Sequence, residues 1–517
     1  MSAYKETLKE EVEVLRERGK KFLNDEITRA DLKGFSGGLG SYSQREKGKF
    51  MVRLRTPSGI MTKEHLRLIL DYIKDNGIDR AHLTTRQAVQ LHELSIDQVC
   101  DVMKDAIDHD LFTRGGGGNF PRNVALSPMS GVAQGEAFDV TPYAVQVGKY
   151  FLFNATYYKL PRKLKVAFSS TEEDTACATL NDMGFVAVLD DGKPMFRLWL
   201  AGGLGGGPAL GIPYDELVDP EEILYYIEAM VQLFQAEGDY KNKARARIRF
   251  IPRRMGVEAF LECYKSYVEK TKKECALNGI KPQLYTGEVW DEKSGSHVMI
   301  AQKQPGLYSV ILHPLCGQLR LEDGEKLYDF VKDIEKAELR LSMDEEIYVR
   351  NLTKKQAQTL LEQMKGSMMM TPVTMSVSCI GTPTCQLGMN QSQALCEAIV
   401  SAVREAGVED VLPRCFISGC PNSCSRHQVA PIGLTGRKVK VEGEMVDGFE
   451  CWLGGRVGVG CTCMGEKAGT IQAVRIPKML VGLGNMLKTK HLSFEQAMAD
   501  NEAKADILAY IGQYAEA

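Results

Sequence analysis

SCIGTPTCQLG (378–388) and SGCPNSCSRHQVAPIGLTG (418–436) are the segments on which the reading of the chain turns. They set Cys379, Cys385, Cys420 and Cys424 in two pairs, inside turns rich in Gly, Pro, Thr and Asn. Four thiolates are the usual ligand set of a cubane iron–sulfur cluster, and turns of this composition let the backbone fold tightly around one. A structural zinc site prefers two to four residues between the members of a pair, whereas five separate Cys379 from Cys385. Packing thiols favour apolar helices and strands, which these segments are not.

The paired segments resemble those of the sulfite and nitrite reductases that carry sirohaem coupled to a [4Fe-4S] cluster. The resemblance implies that Cys379, Cys385, Cys420 and Cys424 bind the cluster. It implies further that Cys424 bridges to the haem iron and that Asn422 lies at the cofactor. It also implies an α+β, internally duplicated, pseudo-two-fold fold, with mixed sheets and flanking helices around a central cofactor.

Outward from these segments, 517 residues exceed what one core holds and suggest two or three domains. With 44% hydrophobic and 25% charged residues the composition is that of an ordinary globular protein. A formal net charge of −3 leaves no nucleic-acid footprint. The N-terminus, MSAYKETLKEEVEVLRERGKKF, is charged throughout, and no later run has the length of a membrane span, so a cytoplasmic protein is expected. Fourteen cysteines in such a chain argue for reduced thiols and a metal site rather than a disulfide framework. The ten outside the two segments, Cys177, Cys263 and Cys396 among them, are read as packing residues. Cys451, Cys461 and Cys463 are read as free thiols, because Cys-x-Cys is a poor chelating spacing for a cubane.

Strand and helix patterns occur in the same order twice. FMVRLRTPSG alternates, TKEHLRLILDYIKDNG has helical period, RAHLTTRQAVQLHEL alternates, and a helix starts at Ser95. LYSVILHPLCG, GEKLYDFVKDIEKA, EEIYVRNL and a helix from Thr353 repeat that order. Leu94 aligns with Leu352, RNVALSP (122–128) with VSCIGTP (377–383), and LPRKLK (160–165) with LPRCFI (412–417), which indicates a duplication. The expected division is a surface arm over 1–49, with a polar break at FSGGLGSYSQREKGKF, and a first ferredoxin-like repeat half over 50–120. A cofactor and substrate domain on the cation side follows over 121–300, then the second repeat half over 301–369 and the cluster-bearing domain over 370–517, which closes in two helices. RGGGGNF (114–120) and GGLGGG (202–207) lack the Lys-Ser/Thr of a phosphate loop and are read as backbone turns near the cofactor. KNKARARIRF (241–250) is read as a basic strand.

Sirohaem carries eight carboxylates, and Arg pairs with carboxylates in bidentate fashion. The resemblance accordingly assigns Arg86, Arg162 and Arg247 to the cofactor. It assigns Arg53, Arg122, Lys163 and Lys165 to the face where a small oxyanion binds, as catalytic residues. Positive charge there attracts the anion and polarises the oxygens that leave as water. His92 is read as either a satisfied strand histidine or a member of this group. Sulfite-preferring members of the family have Lys-x-Lys after LPR, as here, while plant-type nitrite reductases tend to have Asn at the second position. Lys165 therefore implies a six-electron reduction of sulfite to sulfide. CPNSC followed by HQVAPIGLTG is closer to the nitrite-reducing branch, which makes reduction of nitrite to ammonia the alternative. No flavin or nicotinamide module is visible, so an external donor, a ferredoxin or a flavoprotein subunit, is expected. A binding module that kept the scaffold without catalysis is the competing class, though it need not retain four cysteines together with four pocket cations.

Overall fold

The computed structural model describes residues 2–154, 158–292 and 296–515. Among these residues four sheets form two similar pairs. One sheet runs Ser41–Ser43, Phe50–Leu54, Val89–Leu94, Arg80–Leu83, Gln318–Arg320; its counterpart runs Met299–Ala301, Leu307–Pro314, Ile347–Thr353, Glu338–Leu341, Ile60–Met61. Each takes its last strand from the other repeat: Gln318–Arg320 pairs with Arg80–His82, and Ile60–Met61 with Leu339–Arg340.

The exchange depends on two matching tight turns. Ser58 and Gly59 have φ of 49° and 82°, and Cys316 and Gly317 have φ of 56° and 67°. A Cβ on Gly59 would lie 2.8 Å from the Leu341 carbonyl oxygen, and one on Gly317 would lie 2.9 Å from that of Leu83. Glycine is therefore required in each half where the other half's strand end comes in. The swap merges both repeats into one apolar core that runs from Leu54 and Leu91 to Val310 and Val349. Helix Ser2–Leu23 adds Leu8, Val12, Leu15 and Phe22 to that core, so the arm is built into it. Both repeats also start their last helix in the same way. Ser95 with Gln98, and Thr353 with Gln356, form capping boxes that satisfy backbone N–H groups at the first turn.

The second pair of sheets shares one topology: two parallel pairings followed by antiparallel ones. In the first half the strands are Ala125–Leu126, Val166–Ser169, Met183–Asp190 and Lys193–Leu200. In the second they are Val377–Ser378, Cys415–Ser418, Ile432–Val441 and Glu444–Leu453. Register corrects the sequence alignment here. Ala125 pairs with Ala167 as Val377 does with Phe416, and Val166 with Met183 as Cys415 does with Ile432, so both segments slip by three residues. The LPR text belongs to the loop before each strand, and loop lengths differ between the halves. In the corrected register Ser127, Thr171 and Thr175 stand where the second half has Cys379, Cys420 and Cys424. Thr175 Oγ1 donates to Ser127 Oγ at 2.8 Å, a hydroxyl pair in place of two thiols.

Three local expectations also change. Helix Arg29–Leu39 runs through FSGGL, because Thr28 and Asp31 cap its start and Gly40, at φ 88°, ends it. KNKARARIRF is a series of turns leading into helix Phe250–Met255, not a strand: Lys241, Lys243 and Arg245 are exposed, while Arg247 and Arg249 turn inward to the Asp182 carboxylate and the Gly207 carbonyl. The chain closes in three helices, Ile476–Lys490, Phe494–Ala499 and Asn501–Gly512, since Ser493 and Asp500 each cap a new start. Among the described residues no helix is long and apolar enough to cross a membrane.

Candidate functional site

A cavity of about 410 Å³ lies between the two halves, within the size range of cofactor pockets. Arg53, Arg86, Arg122, Arg162, Lys163, Lys165 and Arg247 line it from the first half, and Cys379, Cys385, Asn422 and Cys424 from the second. Cys420 is buried beside them, with the Asn422 Nδ2 donating to its Sγ at 3.4 Å. Residues chosen from distant stretches of sequence thus meet around one space.

The arginines are held in different ways. Arg86 is committed to protein acceptors, donating from Nε to the Asn123 carbonyl at 2.8 Å, from Nη1 to Asn181 Oδ1 at 2.9 Å and from Nη2 to the Val166 carbonyl at 2.7 Å. Arg247 Nη2 donates to both carboxylate oxygens of the buried Asp182, at 3.0 and 2.8 Å, while its Nε is buried without a partner. Asp182 Oδ2 also accepts the Lys165 backbone N–H at 2.8 Å. Adjacent Asn181 and Asp182 therefore anchor three of the predicted cations, a hub for which the sequence carries no signal.

Arg53 and Arg122 converge on the carbonyl of Gly116, Arg122 at 2.7 Å, and Arg122 Nη2 reaches the Gly118 carbonyl at 2.9 Å. Gln90 turns its amide oxygen to Arg53 and accepts from Nη2 at 2.6 Å and Nε at 3.2 Å. The RGGGGNF turn is thus an acceptor loop for the cavity-wall cations Arg53 and Arg122, and Gly115, Gly116 and Gly203 of the two Gly-rich turns line the cavity. A Cβ on Gly117 would stand 2.3 Å from Tyr42 Oη and 2.4 Å from the Gly37 carbonyl oxygen. Gly117→Ala must therefore move the loop. We expect kcat/KM to fall about tenfold or more, since small displacements of positioned groups are costly, with helix content by circular dichroism unchanged.

Arg162, Lys163 and Lys165 make no side-chain hydrogen bond or ion pair among the described residues. Burial, then repulsion from Arg247 and Arg122, pushes the Lys163 ammonium down to about 7, with Cys424 acting against it. Lys165 is held well below the usual lysine range by burial and by Lys163, Arg86 and Arg247, with Asp182 opposing. The unfolded chain holds the Lys163 proton up to about pH 10.4. This group therefore disfavours the cofactor-free fold fully below pH 7, and the penalty fades as pH rises from about 7 towards 10. Lys163→Met should raise cofactor-free stability at pH 6 by on the order of 1–3 kcal/mol, read by urea unfolding, and the gain should shrink by pH 10.

On the cysteine side, the Gly419 N–H donates to Cys379 Sγ at 3.1 Å, and Ser392 Oγ lies 3.4 Å from it. Such donors are the usual means of tuning cluster sulfurs. Burial, then Cys424, pushes the Cys379 thiol up to about 12, so a set of thiolates persists here only with cationic metal among them. Among the described residues no three His, Cys, Asp or Glu side chains stand close enough to share a single ion. A cubane spreads its thiolates over separate irons, which suits these cysteines better than the tetrahedral site of zinc. Partnerless, half-buried cations facing this cysteine set fit a polyanionic macrocycle joined to a cluster.

Tyr42, Arg55, His82, Gln90, Glu345 and Arg426 also line the cavity and were not singled out from the sequence. His82 and His92 have ring centroids 6.2 Å apart. His92 Nδ1 meets the Gln44 amide at 3.0 Å, but its Nε2 is buried without a partner, as is His82 Nδ1. Burial, then the His82 ring and Arg53, pushes His92 down to about 3, and burial, then Arg53, pushes His82 down to about 4. The alternation of His82 with Thr84 and of Gln90 with His92 on paired strands was the available signal.

Comparison with known proteins supports the same reading. The model of the nitrite and sulphite reductase 4Fe-4S domain matches residues 117–272, and that of the nitrite/sulfite reductase ferredoxin-like half domain matches 42–108. The first match falls on the cation-bearing copy, whereas the four cysteines lie in the other. The chain is 30% identical over 439 residues to the ferredoxin–nitrite reductase of Synechococcus elongatus, covering 82% of this chain and 83% of that one. It is 26% identical over 463 residues to sulfite reductase [ferredoxin] 1 of Mycolicibacterium paratuberculosis, covering 84% and 81%. The fold matches the NirA protein of Mycobacterium tuberculosis with a TM-score of 0.82 at 24% identity, over 98% of this chain and 97% of that one.

Proposed function

The chain belongs to the nitrite and sulfite reductase family, and from that premise we propose that it reduces sulfite to sulfide in six one-electron steps. The chain is an oxidoreductase, and the family implies sirohaem and an iron–sulfur cluster. The observation that carries the sulfite reading is the partnerless pair Lys163 and Lys165 in the cavity wall. Two lysine side chains, held as ammonium groups once a polyanionic macrocycle and the substrate anion face them, suit a doubly charged anion better than a singly charged one.

When bound, the coupled sirohaem and cluster supply electrons to the anion. Cys379, Cys385, Cys420 and Cys424 would hold the cluster, with Cys424 also serving the haem; Arg162, Asn422 and the partnerless Nε of Arg247 would meet the macrocycle, while Arg86, already donating to protein acceptors, would keep its place in the cavity wall. Arg53, Arg122, Lys163 and Lys165 bind the anion, offset the negative charge that reduction adds, and polarise oxygens that depart as water. A lysine lowered to about 7 gives up its Nζ proton readily near neutral pH and can recover it from water. Electrons come from an external one-electron donor of the ferredoxin kind, a reading supported by the relatives' names. We place this activity in the cytoplasm.

Nitrite is the second reading, favoured by the 30% identical relative, a ferredoxin–nitrite reductase. The test is steady-state kinetics on protein expressed anaerobically with sirohaem synthesis present, comparing kcat/KM for sulfite and nitrite with one reduced ferredoxin. A sulfite preference supports the proposal, and a strong nitrite preference replaces it with the second reading. Protein lacking both haem absorption and acid-labile sulfide would sink both.

A further inference from the structure

The two halves differ in chemistry at one equivalent place in the cavity wall. Gln87 and Glu345 sit at matching positions before the inner strands Val89–Leu94 and Ile347–Thr353, both in left-handed conformation, at φ 53° and 64°. Gln87 Oε1 accepts the Leu126 N–H at 2.8 Å, and Glu345 Oε2 accepts the N–H of the equivalent Ser378 at 3.1 Å. Gln87 also donates from Nε2 to two carbonyls, those of Leu126 and Leu341, both at 2.7 Å.

The glycine turns show that the second half keeps this arrangement. A Cβ on Gly59 would meet the Leu341 carbonyl oxygen at 2.8 Å and Gln87 Nε2 at 2.9 Å. One on Gly317 would meet the Leu83 carbonyl oxygen at 2.9 Å and the Glu345 carboxyl carbon at 3.2 Å. The Glu345 carboxyl group thus occupies the place of the Gln87 side-chain amide, whose nitrogen donates to carbonyls. A carboxylate has no hydrogen to offer there, whereas a carboxylic acid has one.

The charges around Glu345 point the same way. Its two neighbours take the local cations: Arg414 pairs with Glu346 at 2.6 Å, and Arg426 pairs with Asp344. The Ser378 N–H is its one hydrogen-bond donor among the described residues, and the side chain is 1% exposed. Burial, with Asp344 and Glu346 adding to it, pushes the carboxyl well above the usual range against the Ser378 N–H and Arg426. An anionic macrocycle and cluster in the cavity would push it further in the same direction.

We propose that Glu345 is a neutral carboxylic acid in the resting enzyme and serves as the proton store on the cysteine side of the cavity. In this step the carboxyl O–H breaks and an O–H forms on a cavity water or substrate oxygen. The carboxylate left behind faces the Ser378 N–H and Arg426 and recovers a proton from cavity water, and no electron passes through it. The role in turnover rests on the reductase reading, while the protonation does not.

Glu345→Gln installs the side chain that the other half already uses, so it should fold and load iron and haem as the parent does. The infrared spectrum of the parent at pH 8 should show a protonated-carboxyl stretch that the variant lacks, with or without cofactors. In the loaded enzyme kcat should fall about 10- to 100-fold, in the range lost with a proton donor, with KM little changed. Identical spectra, an unchanged kcat at equal cofactor content, or a parent without any such band at pH 8 would overturn the proposal. So would a variant that does not fold, since the other half already accommodates an amide at this position. Failure to bind sirohaem would count against the reductase reading alone, because the carboxyl band is read without it.

Discussion

Lys165→Asn is expected to lower kcat/KM for sulfite by about 100-fold or more, the scale of losing one preorganised charge at a reacting oxyanion. The Lys165 backbone N–H is pinned by Asp182 at 2.8 Å, so the side chain leaves a fixed point and ends in the cavity without a partner. Asn is too short to reach the same place and brings no charge. For nitrite, with one charge fewer, the loss should be about tenfold or less. Steady-state kinetics with both anions and one donor checks this. Equal losses would mean that Lys165 serves reduction in general and that selectivity lies elsewhere.

Cys379→Ala should abolish activity and remove most of the iron and acid-labile sulfide. A cubane requires its four protein ligands, so three remaining thiols cannot hold it. The fold should survive. The Cys379 backbone N–H still donates to the Ile417 carbonyl at 3.1 Å and keeps the turn on its strand. Iron analysis and circular dichroism on one preparation separate these effects. Cys461→Ala and Cys463→Ala are the matched controls and should leave the iron content unchanged. A Cys379→Ala protein with full iron content would remove this residue from the ligand set.

Much of this was legible in the sequence because it depends on local spacing. Two cysteine pairs in Gly/Pro turns point to a metal site wherever they fold, and two runs of strand, helix, strand, helix imply a duplication. The strand at Phe50–Leu54 and the helix at Lys63–Asp75 follow from period alone. The LPR alignment went astray by three residues because matching loop text says nothing about where the next strand begins to pair. The KNKARARIRF expectation failed for a related reason. Alternating basic residues resemble an edge strand, but Arg247 has a buried acid, Asp182, to turn towards.

By itself the sequence determined the duplication, the candidate cysteine set and the inventory of cations, which rest on residue type and spacing along the chain, and through the resemblance of its cysteine segments the fold class. Tertiary structure decided what each cation is free to do. Arg86 and Arg247 are spoken for by Asn181 and Asp182, Arg53 and Arg122 lean on Gly116, and Lys163 and Lys165 remain without partners in the cavity. It also decided that Glu345 stands in the place of an amide. Partnership between residues far apart in the chain is set by strand exchange and register, and a charge is defined by what faces it rather than by its neighbours in sequence.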